Sequence, residues 1–514
     1  MRGVEPPAEL GRVLFVSAFV IATCGLIYEL VAGALASYLL GDSITQFSLV
    51  IGVYLSAMGV GSYLSRYVER GLLARFVEIE LAVALIGGFS APILYAAFTW
   101  TGLFRPLLFG LVFTTGTLVG LELPLLIRLL ESRQSLKELV ARVLFLDYIG
   151  ALAASLAFPL LLVPKLGLMR TSMVFGLLNA GVALWATGLF RGGGVVLWRL
   201  RGLCALTLML LLGGLTGAGR AEAVMEAALF ADPLVLHTRS PYQRVTVTAD
   251  DGDVRLYLNG ALQFSSVDEY RYHEALVHPA MASASAATRV LVMGGGDGLA
   301  VREVLRWPEV EAVTLVDLDP TVTSLFTERE ELAALNEEAL RDPRVSVINA
   351  DAFTWLLEGG DSQRYDVALI DFPDPNDFGL GKLYTNHFYR LLARQLTDEG
   401  VFAVQATSPM FSPEAYWCIV RTLESEVGAV RPYHAYVPAF GEWGFVLARA
   451  SDVGGPLSGF RDLPEGLRFL SPTTLTGLFH FPPDMDRRDG PVNRLDNQAL
   501  VRLYEADWRE IRGP

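Results

Sequence analysis

A short loop with two aspartates and two prolines is the part of this 514-residue chain best suited to chemistry. Residues 365–370 are apolar and β-like, and they run into Asp-Phe-Pro-Asp-Pro at 371–375. Each proline fixes its own backbone and disfavours helix in the residue before it, so Asp371 and Asp374 are held in place. An ionised aspartate in such a loop can accept a proton from an ammonium group and attract a cation. An ordinary proline turn is the alternative interpretation.

A glycine cluster earlier in the chain is suited to holding a nucleoside. Residues 290–293 are apolar and β-like, and Gly-Gly-Gly-Asp-Gly follows at 294–298, before a segment that can start a helix. Glycines let a ligand approach the backbone closely, and an acidic residue about 20 positions later is placed to bind a ribose hydroxyl pair. Asp317, after the apolar run 313–316, has that spacing.

The elements that must position these residues form a repeating pattern. Strands and helices alternate from residue 289 to about residue 450, which predicts an α/β domain with a Rossmann-like parallel sheet. Ligands of such sheets bind beyond the carboxyl ends of the strands. The predicted strands are 289–293, 312–316, 344–348, 366–370, 400–405 and 443–449.

Acidic residues follow the carboxyl ends of four successive strands in this set. One aspartate there can be a helix cap or a turn former, and that alternative holds for each residue taken singly. Acidic residues placed at random would not follow the carboxyl end of every strand. The set therefore predicts one acidic site for cationic ligands. Its members are Asp297 after the first strand, Asp317 and Asp319 after the second, Asp351 after the third, and Asp371 with Asp374 after the fourth.

The first 216 residues contain seven apolar stretches, each near 20 residues long. That length matches the hydrocarbon thickness of a bilayer and predicts an all-α transmembrane bundle, multi-pass in a cell membrane. A soluble all-α domain is the alternative, although its helices are usually shorter and carry a polar face. The stretches are 12–40, 46–65, 76–98, 106–127, 143–163, 170–190 and 198–216.

Besides Glu78, four acidic residues lie within these stretches, and charges in hydrocarbon usually face a bundle interior or a cavity. A polar cavity or cation path is the functional interpretation. Hydrogen-bonded packing is the structural one, and it suits Glu80, which lies near a boundary. Gly120 and Gly150 predict close helix approach beside two of the acids. The four are Glu29, Glu80, Glu122 and Asp147.

The remaining segments complete a four-part organisation. A short linking helix at 221–231 precedes a strand-like region, 234–264, that predicts a small antiparallel unit. Beyond residue 450 lies an extension with little regular pattern, ending in a helix near 497–510. The predicted domains are 1–220 (transmembrane), 221–284 (linker and small β unit), 285–450 (nucleoside-binding) and 451–514 (C-terminal extension).

Charge is divided unevenly between the two halves. Residues 1–220 carry 16 Lys/Arg and 11 Asp/Glu, which leaves 25 basic and 44 acidic residues in 221–514. Such acidity disfavours binding of nucleic acid and favours binding of cationic small molecules, although it also aids solubility.

The positive charges of the loops between the apolar stretches place the N-terminus in the cytoplasm. Seven spans would then place residues 221–514 outside the cytoplasm, which conflicts with the nucleoside chemistry. The side of the membrane on which residues 221–514 lie therefore stays open.

The three cysteines have neither the spacing of a zinc site nor that of a disulfide framework.

Four segments, in order, resemble the spermidine synthase (polyamine aminopropyltransferase) family. The glycine run at 294–298 matches its nucleoside loop, and Asp-x-x-Asp-Pro at 371–375 matches its catalytic loop. Asp-Glu-Tyr-Arg-Tyr-His-Glu at 268–274 is similar to the segment that closes the site. Ser-Pro-Tyr-Gln at 240–243 resembles the strand with a substrate-contacting glutamine. The match covers about 234–450, and the seven-span N-terminal half looks like the membrane-bound branch of the family.

The resemblance implies two small-molecule substrates, decarboxylated S-adenosylmethionine as co-substrate and putrescine or a similar amine, with no metal or other cofactor. Asp371 would take a proton from the attacking amine, which displaces methylthioadenosine. The implied binding residues are Asp297 and Asp374 for the amines, Asp317 for the ribose, Asp351 and the Ala352 backbone for adenine, Gln243 for the nucleoside, and Tyr272 and His273 for the amine side. Gln405, at the end of the fifth strand, is added from its position.

One departure from the family leaves the acceptor amine open. Many soluble members have Tyr-Pro-Ser-Gly near the last strand, and its tyrosine touches the amine. Here Phe440 lacks the hydroxyl, whereas Glu442 could supply an anionic contact. Two other functions stay open: an S-adenosylmethionine-dependent methyltransferase, and a polyamine transporter or sensor with a binding-only soluble domain. Membrane lipid and a second copy of the chain are further expected partners.

Overall fold

Long apolar runs of the N-terminal half form helices, because only a helix satisfies its own backbone groups in an apolar environment. The computed structural model describes residues 8–40, 43–131, 135–190, 194–451, 457 and 459–512. The chain divides into two compact units, Met1–Ala231 and Asp232–Pro514. The helices of the first unit are α1 Ala8–Leu40, α2 Ser43–Leu64, α3 Leu72–Gly88, α4 Ser90–Trp100, α5 Phe104–Leu130, α6 Leu136–Ala157, α7 Val163–Thr187 and α8 Val195–Ala227.

Six helical runs within the described residues are long and apolar enough to cross a membrane, where the sequence predicted seven. The difference lies in Leu136–Thr187, a run of 52 residues that contains the fifth and sixth predicted stretches. It is not straight, because Gly167 has φ 74° and ψ 177°. Side chains of two adjacent α1 residues bond to the carbonyls of Gly150 and Phe175, at 3.2 and 3.7 Å. A straight helix would separate those carbonyls by about 38 Å, so the run folds back between them.

The boundary predicted at residue 220 falls inside α8. The last apolar stretch and the predicted linking helix form one continuous helix, and the first unit ends only after Ala231. Gly217 and Gly219 lie between the two segments, but no proline does, and the helix continues through both glycines.

Close helix packing surrounds the acids of the first unit, as the neighbouring glycines predicted. A Cβ on Gly150 would come within 2.6 Å of a backbone oxygen of α1, and one on Gly120 would overlap the Met58 backbone. Glu80 and Glu122 are both completely buried, and neither carboxyl has a hydrogen-bond partner within the described ranges. Hydrogen-bonded packing, the structural interpretation of Glu80, is therefore not what the fold shows.

The second unit begins with a four-stranded antiparallel sheet, which confirms the predicted small β unit. Its strands pair in sequence order, and a tight turn at Asp251 and Gly252, both with positive φ, joins the second to the third. The strands are β1 Leu234–Arg239, β2 Arg244–Asp250, β3 Asp253–Leu258 and β4 Ala261–Ser265.

A seven-stranded sheet forms the centre of the second unit, in the order β10-β11-β9-β8-β5-β6-β7. Strands β5 to β9 are parallel, as predicted, whereas β11 runs antiparallel to both β9 and β10. The sequence missed β10, because Pro432 within it and its place at the sheet edge obscure the strand pattern. The strands are β5 Arg289–Gly294, β6 Ala312–Asp317, β7 Val345–Asn349, β8 Tyr365–Asp371, β9 Leu396–Gln405, β10 Ala429–Val437 and β11 Gly441–Arg449.

Helices cover both faces of this sheet, and two apolar cores lie between them and the strands. The C-terminal extension ends in a helix close to the predicted one. The helices are α9 Glu269–Ser283, α10 Leu299–Leu305, α11 Pro320–Glu328, α12 Glu330–Ala333, α13 Ala352–Leu357, α14 Phe378–Gly381, α15 Asn386–Gln395, α16 Pro413–Glu424, α17 Pro472–Gly477 and α18 Ala499–Arg512.

Candidate active site

The parallel strands bring the predicted carboxylates to one edge of the sheet. Asp371, the last residue of β8, is in register with Gly294, the last residue of β5. Asp317 ends the neighbouring strand β6 and is in register with Asn349 of β7. Because parallel strands end at the same edge, the aspartates that follow them meet there.

Asp371 lies at the centre of this edge. The Tyr272 hydroxyl donates a hydrogen bond to its Oδ1 at 2.6 Å. Burial raises the pKa of Asp371, while the charge of His273 and the Tyr272 hydrogen bond act in the opposite direction. The carboxylate therefore has one oxygen fixed by a phenol and a proton affinity above that of an ordinary aspartate, which suits a general base.

The glycine loop fits closely around Asp371. Gly295 has φ 66°, and a Cβ built on it would lie 2.9 Å from Oδ2 of Asp371. A Cβ on Gly294 would overlap the Asp371 carbonyl oxygen. Only glycine allows the loop to pass this close to the carboxylate.

Asp317 closes the other side of the glycine loop. Its Oδ2 accepts a hydrogen bond from the Gly296 amide at 3.1 Å, and its Oδ1 accepts one from the Asp319 amide at 2.8 Å. Burial raises the pKa of Asp317 to about 6, helped by the charges of Asp297 and Asp319 and opposed by these amide bonds. The carboxylate is thus fixed where a ribose was predicted.

Asp297 lies within the loop, directly before α10. Its Oδ1 accepts a hydrogen bond from the Leu299 amide at 2.9 Å. Burial raises its pKa to about 6; the charge of His273 opposes this rise and that of Asp371 adds to it. Asp297 and Asp371 are therefore close enough for the charge of one to affect the pKa of the other, as one shared acidic site requires.

His273 provides a positive charge beside these acids. Its Nδ1 bonds to Oε2 of Glu269 at 2.8 Å, and Glu269 also forms a two-point ion pair with Arg302, at 3.0 and 2.9 Å. Burial alone would lower the pKa of His273, but the bond and charge of Glu269 raise it to about 9. Protonated His273 stabilises the ionised forms of Asp297 and Asp371, and its predicted place on the amine side stays a prediction.

Gln243 reaches the site from the small antiparallel sheet. Its Nε2 donates to Oδ2 of Asp319 at 3.0 Å, and the Ser240 hydroxyl donates to the same oxygen at 2.6 Å. Asp319 is fully buried and caps α11 through the Thr321 amide. The small sheet is therefore fastened beside Asp317, with Gln243 at the predicted nucleoside side.

Asp351 both caps a helix and lies at the acidic edge of the sheet, and the sequence left these two interpretations open. Its Oδ1 caps α13 through the Thr354 amide at 2.9 Å, and its Oδ2 pairs with Lys382 Nζ at 2.7 Å. It also follows β7 directly, and the Ala350 amide bonds to the Asp317 carbonyl at 2.9 Å. The residue lies at the predicted edge, with Ala352 buried beside it.

Asp374 is held by two hydroxyl groups. Its Oδ2 accepts hydrogen bonds from Thr407 at 3.2 Å and from Tyr504 at 2.8 Å. Its Oδ1 is buried and has no hydrogen-bond partner in the part of the chain that the structure describes. Burial raises the pKa of Asp374 to about 6, against the effect of both hydroxyls and of the Gln405 side chain.

Gln405 supports the loop through hydrogen bonds, and its predicted role in binding a substrate stays a prediction. Its Nε2 donates to the Phe372 carbonyl and to the Tyr384 hydroxyl, and its Oε1 accepts from the Thr407 amide at 3.1 Å. The side chain is only 1% exposed. The position at a strand end was informative, but it did not reveal where the side chain points.

Comparisons with known proteins identify the family of this chain. Residues 269–455 match the family model of the spermine/spermidine synthase domain. A polyamine aminopropyltransferase of Leptospira interrogans is 51% identical over 500 residues, 97% of this chain and 99% of that protein. Polyamine aminopropyltransferase 1 of Ralstonia nicotianae is 52% identical, over 98% of this chain and 97% of that protein.

The chain belongs to the spermine/spermidine synthase family. The resemblance inferred from the four sequence segments is thereby confirmed. Among solved structures, spermidine synthase from Thermotoga maritima is 24% identical with a TM-score of 0.44, over 49% of this chain and 85% of that chain.

The structure also shows how this member departs from the spermine/spermidine synthase pattern near the last strand. Trp443 and Phe445 of β11 lie on the Tyr272 face, with Phe445 5.3 Å from Tyr272 between ring centroids. Glu442 alternates to the other face, where its Oε2 bonds to His434 Nδ1 at 2.9 Å. The anionic amine contact predicted for Glu442 is therefore wrong. Phe440 instead packs edge-on against Tyr272, at 6.1 Å.

Several residues of this site escaped sequence reasoning. Thr407 and Tyr504 bind Asp374, Glu269 bonds to His273, and Arg302 pairs with Glu269. Glu269 belongs to the 268–274 segment that marks the family, so its acid at i and histidine at i+4 could have indicated the pair. Nothing in the sequence around Tyr504 indicates its contact.

Proposed function

We propose that this protein transfers the aminopropyl group of decarboxylated S-adenosylmethionine to putrescine or a related aliphatic amine, and releases methylthioadenosine. The observation that supports this most directly is the meeting of Asp297, Asp317, Asp371 and Asp374 at one sheet edge, beside a glycine loop. Both substrates are cations, so carboxylates attract both.

Asp371 is the base of the proposed reaction. It accepts a proton from the attacking ammonium group, and the neutral nitrogen then uses its lone pair to form a bond to the carbon next to sulfur. The carbon–sulfur bond breaks, and its electron pair stays on sulfur, so the cationic sulfonium becomes neutral methylthioadenosine. The phenol of Tyr272 fixes one oxygen of Asp371 and leaves the other, next to Gly295, for the proton.

Asp317 is proposed to bind the ribose hydroxyls, and Asp351 with the Ala352 backbone to face the adenine. Gln243 is proposed to contact the nucleoside, and Tyr272 to line the amine side. Decarboxylated S-adenosylmethionine lacks a carboxylate, and a site with this many acids would repel the carboxylate of intact S-adenosylmethionine. This favours aminopropyl transfer over methyl transfer.

We further propose that the first unit anchors the enzyme in a cell membrane, in contact with lipid. Its apolar helical runs are compatible with that location.

The reaction is tested with the purified full-length chain and a panel of amines. Decarboxylated S-adenosylmethionine and putrescine together are expected to give methylthioadenosine and aminopropylated amine in equal amounts, and either substrate alone gives neither. Turnover of intact S-adenosylmethionine to S-adenosylhomocysteine would support a methyltransferase instead. Polyamine binding with no product would support the transporter or sensor.

A further inference from the structure

The C-terminal helix reaches into the acidic site, although it lies outside the residues that match the family model, 269–455. Tyr504 of α18 donates its hydroxyl to Oδ2 of Asp374 at 2.8 Å. The two residues are 130 positions apart in the chain. The extension after residue 450 is thus part of the site.

Several contacts fix α18 in this position. Asp507 Oδ2 accepts a hydrogen bond from the Ala415 amide of α16 at 3.2 Å. Val501 packs so closely on Gly381 that a Cβ there would lie 2.5 Å from its side chain. The helix is therefore docked rigidly against the segment that follows Asp374.

A second anchor lies just before the helix. Asn493 is 1% exposed, and its Nδ2 donates to the carbonyls of Gly381 and Tyr384, each at 3.1 Å. Its own carbonyl accepts from the Asn386 amide at 3.0 Å. The extension therefore contacts the 378–386 segment through both Asn493 and α18, and these contacts fix the position of Tyr504.

The two carboxylate oxygens of Asp374 differ in their hydrogen bonds. Oδ2 is occupied by two hydroxyl donors, Thr407 and Tyr504. Oδ1 is buried and has no partner among the described residues. A buried carboxylate oxygen without a donor is costly, so a ligand with an N–H group is its natural complement.

We propose that Tyr504 is a positioning residue for the acceptor amine, which orients Asp374 so that its Oδ1 receives the ammonium group distant from the reacting nitrogen. The inference rests on the proposed aminopropyl transfer. In that reaction the acceptor presents one nitrogen to Asp371 and a second nitrogen to Asp374. It also makes the C-terminal extension a part of the amine subsite.

The test is Tyr504→Phe in the full-length chain, which removes only the hydroxyl. KM for putrescine is expected to rise roughly tenfold or more, because a hydrogen bond to a charged group is lost. The kcat at saturating putrescine and the Kd of decarboxylated S-adenosylmethionine are expected to stay within about twofold. The acid limb of kcat/KM for putrescine is expected to move to higher pH, because the hydroxyl favours ionised Asp374.

Butylamine separates positioning from general disruption, because it lacks the second nitrogen. Its inhibition constant against putrescine is expected to be the same in Tyr504→Phe and in the unmodified chain. The matched control is Tyr389→Phe, which removes a buried hydroxyl that has no partner among the described residues. That variant is expected to leave all constants unchanged.

Unchanged KM and pH profile in Tyr504→Phe, with the unmodified chain active, would overturn the role of Tyr504 alone. An equal loss of nucleoside affinity and thermal stability would overturn it too, in favour of a purely structural hydroxyl. Absence of transfer by the unmodified chain would instead overturn the proposed function. If Tyr504→Phe does not fold, Thr407→Ala removes the other donor to the same oxygen and is expected to show the same change in KM without change in kcat.

Discussion

At the scale of single residues, the chemistry of this site depends on a balance between burial and charge. Burial raises the pKa of Asp297, Asp317 and Asp374 to about 6 each. Cationic His273 opposes that rise at Asp297 and at Asp371. The acids are therefore ionised near neutral pH while keeping an affinity for protons and cations that an exposed aspartate lacks.

This balance predicts an acid limb in the activity. A carboxyl with a raised pKa is neutral below that pKa, and a neutral carboxyl attracts a cation poorly. We therefore expect kcat/KM for the amine to fall as the pH decreases through about 6, the pKa of these three acids. A pH profile of initial rates checks this. A midpoint near the ordinary aspartate value of about 3.9 would show that burial does not act as described.

Glu269→Gln is expected to shift the same limb to higher pH. Without the charge of Glu269, the pKa of His273 falls from about 9, and the imidazole loses its proton near neutral pH. Asp297 and Asp371 then lose the charge that lowers their pKa values. The control is Glu309→Gln, which removes a partly exposed ion pair with Arg461. A limb that does not move in Glu269→Gln contradicts this role of His273.

At the scale of elements, the site depends on how closely the glycine loop approaches the end of β8. The loop passes Asp371 at a distance that no side chain permits, and the Gly296 amide bonds to Asp317 from the same turn. One backbone turn therefore sets the spacing between the proposed base and the proposed ribose ligand.

Gly295→Ala tests this element. Its methyl group would lie 2.9 Å from Asp371 Oδ2, and the positive φ adds strain. We expect turnover to fall by roughly 100-fold, since displacement of a catalytic group by about 1 Å has an effect of that order. The control is Gly477→Ala, where a Cβ meets nothing within 4 Å. Equal turnover in the two variants would reject the close fit of the loop.

The sequence predicted these central elements because their signals are local. Prolines mark the loop of Asp371 and Asp374, and spacing after the glycines marks Asp317. The sequence does not show in which direction a side chain points, or which residues far apart in the chain are in contact. Gln405 lies at a strand end but bonds behind the loop, and Glu442 alternates away from Tyr272.

At the scale of the whole molecule, the chain joins an apolar helical unit to an acidic catalytic unit. Length and hydropathy predicted the helical unit, and the alternation of strands and helices predicted the parallel sheet. The fifth and sixth predicted stretches are separated in the sequence, and the chain folds back between them at Gly167, within one helical run of 52 residues. The contact of Tyr504 with Asp374 depends on tertiary packing across 130 residues, which no local pattern carries.

The helical unit predicts how the enzyme fractionates. The full-length chain is expected to stay with membranes after a high-pH carbonate wash and to enter solution only in detergent, because about 20 apolar residues per crossing resist extraction. Aminopropyltransferase activity is expected in the same fraction. Release of the chain by carbonate would contradict a membrane-spanning unit, since peripheral proteins behave that way.

The most direct measurement of the central claim is single-turnover transfer by Asp371→Asn compared with the unmodified chain, at saturating putrescine and decarboxylated S-adenosylmethionine. The exposed residue Asp398, changed to Asn, serves as the control, since its side chain is 80% exposed and pairs with Arg364 at the surface. We predict that Asp371→Asn binds the nucleoside with unchanged Kd and forms methylthioadenosine roughly 100-fold to 10,000-fold more slowly, the usual contribution of a general base. An unchanged rate of methylthioadenosine formation in Asp371→Asn would contradict the account.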